Sequence, residues 1–462
     1  MKSFLFLLFT AAVALRARAH GFDERYDLPV PLSYVIVGAC ATVLLTFVVA
    51  LVFVRRPGVA QTGSESQMPG TSYRVKSRPF VLGLSKGLSL SLFILTLVAA
   101  LYGTSDPLMN LAPTMVWIIG WIGLSLGVMV LGKLWPQIDP WRSLFELMDG
   151  LARQVSAQRG IARGWPWPAA LGMWPATLLL LVWCALEVIY PLATAPFKLG
   201  CIMLVWTIIN LAGMVCFGRE VWQCNADVFA VYFARLARTF RPRLCGPEHP
   251  PIAGEIGFIL AMLATVLFDG LHGGPAWFVF EGILKVIIPK WLDLNGYVAG
   301  TLGLLSVWLF FLLAYLLVCQ ISAATISRAI TGRHIAHQMA PTLIPIAAAY
   351  LIAHNFSSLM IQGQNIIALM SDPLGRQWDL FGTAKFYPDI GVVDAKFTWV
   401  LAVTAIVVGH VLSIWRAHHV ALAWGLSARR TAWTTLPLTA LMMAYTALSL
   451  MVIAVPMVNV GE

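Results

Sequence analysis

Residues Ser33–Val54 read SYVIVGACATVLLTFVVALVFV, and Arg55-Arg56 follow at once. The stretch carries no charge, and as a helix it reaches about 33 Å, enough to cross the hydrocarbon core of a bilayer. Further apolar segments of spanning length run Phe80–Tyr102, Pro113–Leu134, Ala169–Tyr190, Lys198–Phe217, Ala253–Leu271, Tyr297–Ile326, Ile335–Ile361, Phe397–Trp415 and Thr434–Val455. A helix satisfies its own backbone in lipid, so the reading is an all-α integral membrane protein with about ten transmembrane helices. Composition agrees. Of 462 residues, 59% are hydrophobic and 11% charged, and the mean hydropathy is +0.80. A soluble chain carries about 25% charged residues. That shortfall excludes a soluble enzyme, a nucleic-acid reader and a disordered scaffold, and it makes the lipid bilayer the first partner.

The N-terminus reads as a processing signal. Lys2 precedes an apolar run from Phe4 to Leu15, too short to span, and Ala17-Arg18-Ala19 offers small residues for cleavage. Residues 1–19 are thus expected to be a signal peptide, and residues 20–462 a single polytopic membrane domain beginning outside at His20. Arg55-Arg56 then falls on the cytoplasmic side. Carrying the alternation through all spans puts 20 Lys and Arg on cytoplasmic segments and 7 on outer ones, the sense required by the positive-inside rule. The net charge of +10 is therefore a sidedness signal, with no acidic or nucleic-acid partner implied.

Two inner loops carry amphipathic stretches expected to lie on the membrane surface, near residues 140–155 (Leu144, Leu147, Met148, Leu151) and 220–240 (Val221, Phe229, Phe233, Leu236 against Arg235 and Arg238). The seven cysteines form no CxxC pair and read as small apolar residues. There is no P-loop, HExxH, GxSxG or Rossmann fingerprint, which argues against ATP coupling by this chain.

Ionisable groups at membrane depth are the functional candidates. Asp269 and His272 stand three residues apart in FDGLHGGP (Phe268–Pro275), a spacing that puts them on one helix face. Together they can ligate one metal, or act as a base and its orienting partner; alternatively they cap the helix. His354 and Asn355 lie about two turns below the outer end of their helix, and His410 lies about 10 Å deeper, too far to share a metal with Asp269, His272 and His354. His410, Glu187, Asn355 and Asp372 are candidates for supporting or proton-relay roles. His20, if cleavage exposes it, presents two nitrogens and could contribute to a copper site of the histidine-brace type; the other reading is that it merely follows the cleavage site. His334, His337, His418 and His419 fall among cytoplasmic arginines and are expected to be solvated. Lys86, a charge within an apolar segment, either snorkels to the inner surface or precedes its span.

Several strings, HGFDERYDLPVPL (His20–Leu32), FDG (Phe268–Gly270), SDPLG (Ser371–Gly375) and WDLFGT (Trp378–Thr383), resemble those of a family of bacterial multi-spanning proteins named fenitrothion hydrolase. The resemblance runs over most of the chain. It implies a bacterial inner-membrane hydrolase of organophosphorus triesters that releases a nitrophenol, and a second, related membrane subunit as partner. It brings no established catalytic residues. On the residues themselves, Asp269, His272 and His354 are the catalytic candidates. With His20 they are also the candidate ligands for a divalent transition metal, copper or zinc. A hydrophobic small molecule is the expected substrate. A transporter or copper-handling permease, and a structural subunit of a membrane complex, are the alternatives.

Overall fold

The computed structural model describes residues 31–53, 79–155, 160–190, 193–240, 251–289, 291–293, 295–326 and 330–454. The expected signal peptide, His20 and His249 lie outside them. The apolar run quoted above forms α1 (Leu32–Phe53). It is followed by α2 (Pro79–Tyr102) and α3 (Leu111–Leu131), the latter wound as a π-helix from Thr114 to Gly123. Then come α4 (Pro140–Val155), α5 (Trp174–Val188), α6 (Pro196–Phe217), α7 (Arg219–Asn225) and α8 (Val228–Leu236). The second half holds α9 (Glu255–His272), α10 (Pro275–Ile287), α11 (Tyr297–Ala324), α12 (Gly332–Gln362, with a 3-10 turn at Ala340–Leu343), α13 (Asn365–Ser371), α14 (Ala395–Ala423) and α15 (Ala428–Ile453).

Among the described residues, nine helices are long and apolar enough to cross a membrane. The tenth expected span, Ala169–Tyr190, is the shorter α5, whose 15 residues rise about 22 Å against a hydrocarbon core of about 30 Å. Protein covers much of it, since Leu180, Leu181, Trp183 and Cys184 are buried, so full span length is not needed to keep its backbone out of lipid. By contrast α1 and α11 expose long rows of leucine, valine and phenylalanine to the surroundings. This is how a multi-pass membrane protein meets lipid.

The bundle is built around α9, in which every residue from Gly257 to Phe268 is buried. It packs against α5, α11, α12 and α15. Beside it, α12 is buried continuously from Ile344 to Leu351 and lies along α14. Their close approach depends on Gly409, where a Cβ would collide with the Ala349 side chain and sit 2.7 Å from the Pro345 carbonyl.

The amphipathic stretches fall differently from each other. Pro140–Val155 is one helix with Leu147, Met148 and Leu151 exposed on its apolar stripe and Trp141 and Phe145 buried beneath. The stretch expected as one surface helix near 220–240 is instead two helices, and the second enters the core. Asp227 starts it by accepting from the Phe229 and Ala230 amides, so the chain turns inward at a new N-cap. Phe229 then sits among Trp121, Trp135, Trp141, Trp183 and Trp206, with ring centroids 5.0–6.0 Å away. Arg235 is no lipid anchor: its Nη2 donates to Glu255 at 3.1 Å and its guanidinium lies over the Phe258 ring. His418, expected to be solvated, is buried.

Lys86 lies within its span, and its ammonium reaches the amphipathic helix α4. It ion-pairs with Glu146 of α4 at 2.5 Å, and Arg142 and Arg219 meet the same carboxylate at 3.1 and 2.5 Å. Burial pushes the Glu146 carboxyl up, but these three cations outweigh it and hold the group below the usual carboxylate range.

A carboxylate and histidine pair inside the bundle

The last turn of α9 carries Asp269, and α12 carries His354 about two turns before its end. Their side chains meet, with His354 Nε2 2.9 Å from Asp269 Oδ2. The Asp269 side chain keeps 36% of its surface accessible and His354 keeps 11%. One partner is therefore partly exposed while the other is largely enclosed. A carboxylate on Nε2 makes that nitrogen the donor and leaves Nδ1 as the lone-pair nitrogen. Nδ1 has no hydrogen-bond partner among the described residues.

The contact requires a glycine next to the aspartate. A Cβ on Gly270 would lie 2.8 Å from the Tyr350 hydroxyl and 2.7 Å from Val452 Cγ1. Tyr350, four residues before His354 on the same helix face, stacks on the imidazole with centroids 6.1 Å apart. Its hydroxyl is buried and without a partner. Sequence reasoning passed over this tyrosine, although the four-residue spacing to His354 was a visible signal.

Glu187, near the end of α5, accepts from the Trp121 indole at 2.9 Å. The π-wound segment of α3 delivers that indole. The carboxylates of Glu187 and Asp269 are close enough to repel each other, so α5, α9 and α12 contribute two acids and one imidazole to the same region.

The other candidates stand apart. His272 shares α9 with Asp269, but its ring is held between Phe268 and Trp277 at 5.4 and 5.0 Å. Asn355 returns its amide to the Leu351 carbonyl of its own helix at 3.3 Å. Asp372 organises a turn, accepting from the Arg376 and Gln377 amides at 2.9 and 2.7 Å. His410 is fully buried on α14, with Nδ1 2.8 Å from the Ile406 carbonyl and Nε2 unpartnered. It reaches His354 only through Tyr445 and Tyr350, over ring separations of 6.1, 6.4 and 6.1 Å.

Among the described residues no three His, Cys, Asp or Glu side chains come together as a metal site. Asp269 and His354 supply two ligand atoms, already bonded to each other, and His272 is engaged elsewhere. Among the described residues the site is thus a two-residue acid–imidazole pair, and the fourth expected ligand, His20, lies outside them. A cavity of about 340 Å³ lies elsewhere in the bundle, along α2. Its wall includes Trp183, Trp206 and Phe229 and no ionisable residue, so it is separate from this pair.

Fold and site together define a multi-span α-helical membrane protein with an acid–imidazole pair inside its bundle. Comparison with family models, with curated proteins and with solved structures found no match to the chain.

Proposed function

We propose that the chain is a membrane-bound hydrolase, or the subunit of one, acting on hydrophobic organophosphorus triesters such as fenitrothion. The observation that carries this reading is the 2.9 Å bond from His354 Nε2 to a half-open Asp269, with Nδ1 left to act as a base. Asp269 fixes the tautomer and orientation of the ring, and Tyr350 supports its face. His354 Nδ1 takes a proton from a water molecule as the water oxygen attacks phosphorus. The bond from phosphorus to the aryl oxygen breaks, the nitrophenolate leaves with the electron pair, and Asp269 stabilises the imidazolium that forms. His354 then returns its proton to solvent. The substrate class, the inner-membrane location, the outward face of the site and a second membrane subunit come from the family resemblance and the arginine sidedness. An apolar surround suits a triester that partitions into lipid.

The test is nitrophenol release from fenitrothion by washed membranes containing this chain, alone and with a co-expressed related membrane protein. Asp269→Asn and His354→Gln should each lower release by about 10²–10⁴-fold, while His272→Ala should lower it by far less. Release that survives both of the first two changes would overturn the assignment.

A second reading, a membrane transporter, is favoured by His410, fully buried with its Nε2 unpartnered, because ionisable groups at membrane depth mark substrate, ion and proton pathways. No hydrolysis under any pairing, together with dissipation of a pH gradient in proteoliposomes that His410→Phe abolishes, would establish it instead.

A further inference from the structure

The 340 Å³ cavity runs along one half of α2. Its lining along α2 runs from Ser85 to Thr96, about 16 Å of helical rise. That is half the thickness of a hydrocarbon core of about 30 Å, the depth of one leaflet. The other walls come from the π-wound part of α3, from α6 and from the start of α4, through residues such as Ile119, Met203 and Trp141.

A cluster of three cations stands at the Ser85 end. Lys86 follows Ser85 in the chain and Arg142 follows Trp141, so the cationic cluster stands beside two lining residues. Lys86, Arg142 and Arg219 surround one carboxylate, Glu146, and Arg219 also reaches Glu220 at 3.4 Å. The three cations contact two carboxylates, and a third acid, the buried Asp139, accepts from the Arg142 amide. Not all their donors are spent. Arg219 Nε is buried without a partner, and Arg142 gives only its Nε to Glu146. All three cations keep about a quarter of their side-chain surface accessible, 24% for Lys86 and 26% for each arginine.

We propose that this cavity is a binding site for one anionic phospholipid, with an acyl chain between α2, α3 and α6 and the phosphate at Lys86, Arg142 and Arg219. A dry, one-leaflet groove matches a chain better than it matches a polar ligand. A cluster of three cations with unspent arginine donors at its membrane-surface end matches a phosphate-bearing headgroup. Arg142 and Lys86 sit on an interfacial helix and on a spanning helix respectively, so the lipid ties α4 to α2. The site is independent of the Asp269–His354 pair.

The test uses the full chain, purified and delipidated in a mild detergent, with lipid binding read by native mass spectrometry and by thermal stabilisation. Dioleoyl phosphatidylglycerol should bind at least about tenfold more tightly than dioleoyl phosphatidylethanolamine, and dihexanoyl phosphatidylglycerol at least about tenfold more weakly than its long-chain form, a preference of about 1.4 kcal/mol each. Lys86→Gln with Arg142→Gln should erase the headgroup preference, and Leu92→Trp should weaken both long-chain lipids. Arg153→Gln, an exposed cation further along α4, should change nothing. Equal binding of the two headgroups, equal binding of short and long chains, or protection by glycerol 3-phosphate matching that of the lipid would each overturn the proposal. The chain-length comparison uses the unaltered protein, so a variant that fails to fold does not decide the outcome.

Discussion

Asp139→Asn should stabilise this protein, and only above a definite pH. Asp139 is 1% exposed at the N-terminus of α4, where its Oδ1 accepts from the Trp141 and Arg142 amides at 3.0 Å each and its Oδ2 from Gln223. Asp227, fully buried at the start of α8, stands close enough that each acid disfavours charge on the other, and its Oδ2 has no partner. Burial dominates, and it pushes the Asp139 carboxyl up from 3.8 to about 6 despite the donors around it. At about 1.4 kcal/mol per pH unit, holding that group ionised costs the fold roughly 3 kcal/mol. The neutral acid is the form the fold prefers. Its contribution is complete below the unfolded-chain value near 3.9, declines as pH rises through about 6, and is absent above. Asparagine stays neutral at every pH and still caps the helix. Thermal unfolding in detergent, followed by tryptophan fluorescence, should therefore show Asp139→Asn and wild type close together near pH 4. The variant should pull ahead up to about pH 6.5 and keep a constant lead beyond. A variant less stable than wild type at pH 7.5, or a lead independent of pH, would refute the argument. Asp139→Ala, which loses the cap, should lose about 1 kcal/mol of that gain.

Phe229→Ala should destabilise the fold by about 3–5 kcal/mol, because the ring fills the centre of five tryptophans; a denaturant titration reads the loss. Asp372→Ala should free the turn it holds at Arg376 and Gln377, seen as faster amide exchange there, with the proposed nitrophenol release within about threefold of wild type. Gly270→Val should cost activity more than stability, since its side chain presses α12 away from α9 at the Tyr350 hydroxyl; activity beside thermal midpoint separates the two.

Much of the bundle was legible in the chain. Runs such as Ser33–Val54 name themselves as spans because lipid tolerates no unpaired backbone and few charges. Asp269 and His354 were legible as candidates for the same reason, since an ionisable group at that depth is costly unless something answers it. What answers them was not legible. His272 is nearer to Asp269 in sequence, yet the aspartate pairs with His354, 85 residues away. The fate of His272 was set by Trp277 and Phe268 closing on its ring. The stretch near 220–240 shows the same limit. Its amphipathic pattern fits a membrane surface and a protein interior equally, because apolar side chains are satisfied by either. Only the tryptophans brought in by α3, α4, α5, α6 and the segment between α3 and α4 made the interior the better place for Phe229. Sequence alone determined which segments enter the membrane, because that choice is made segment by segment against lipid. The tertiary structure decided which buried charges meet and where a cavity is left, because those depend on the packing of helices distant in the chain.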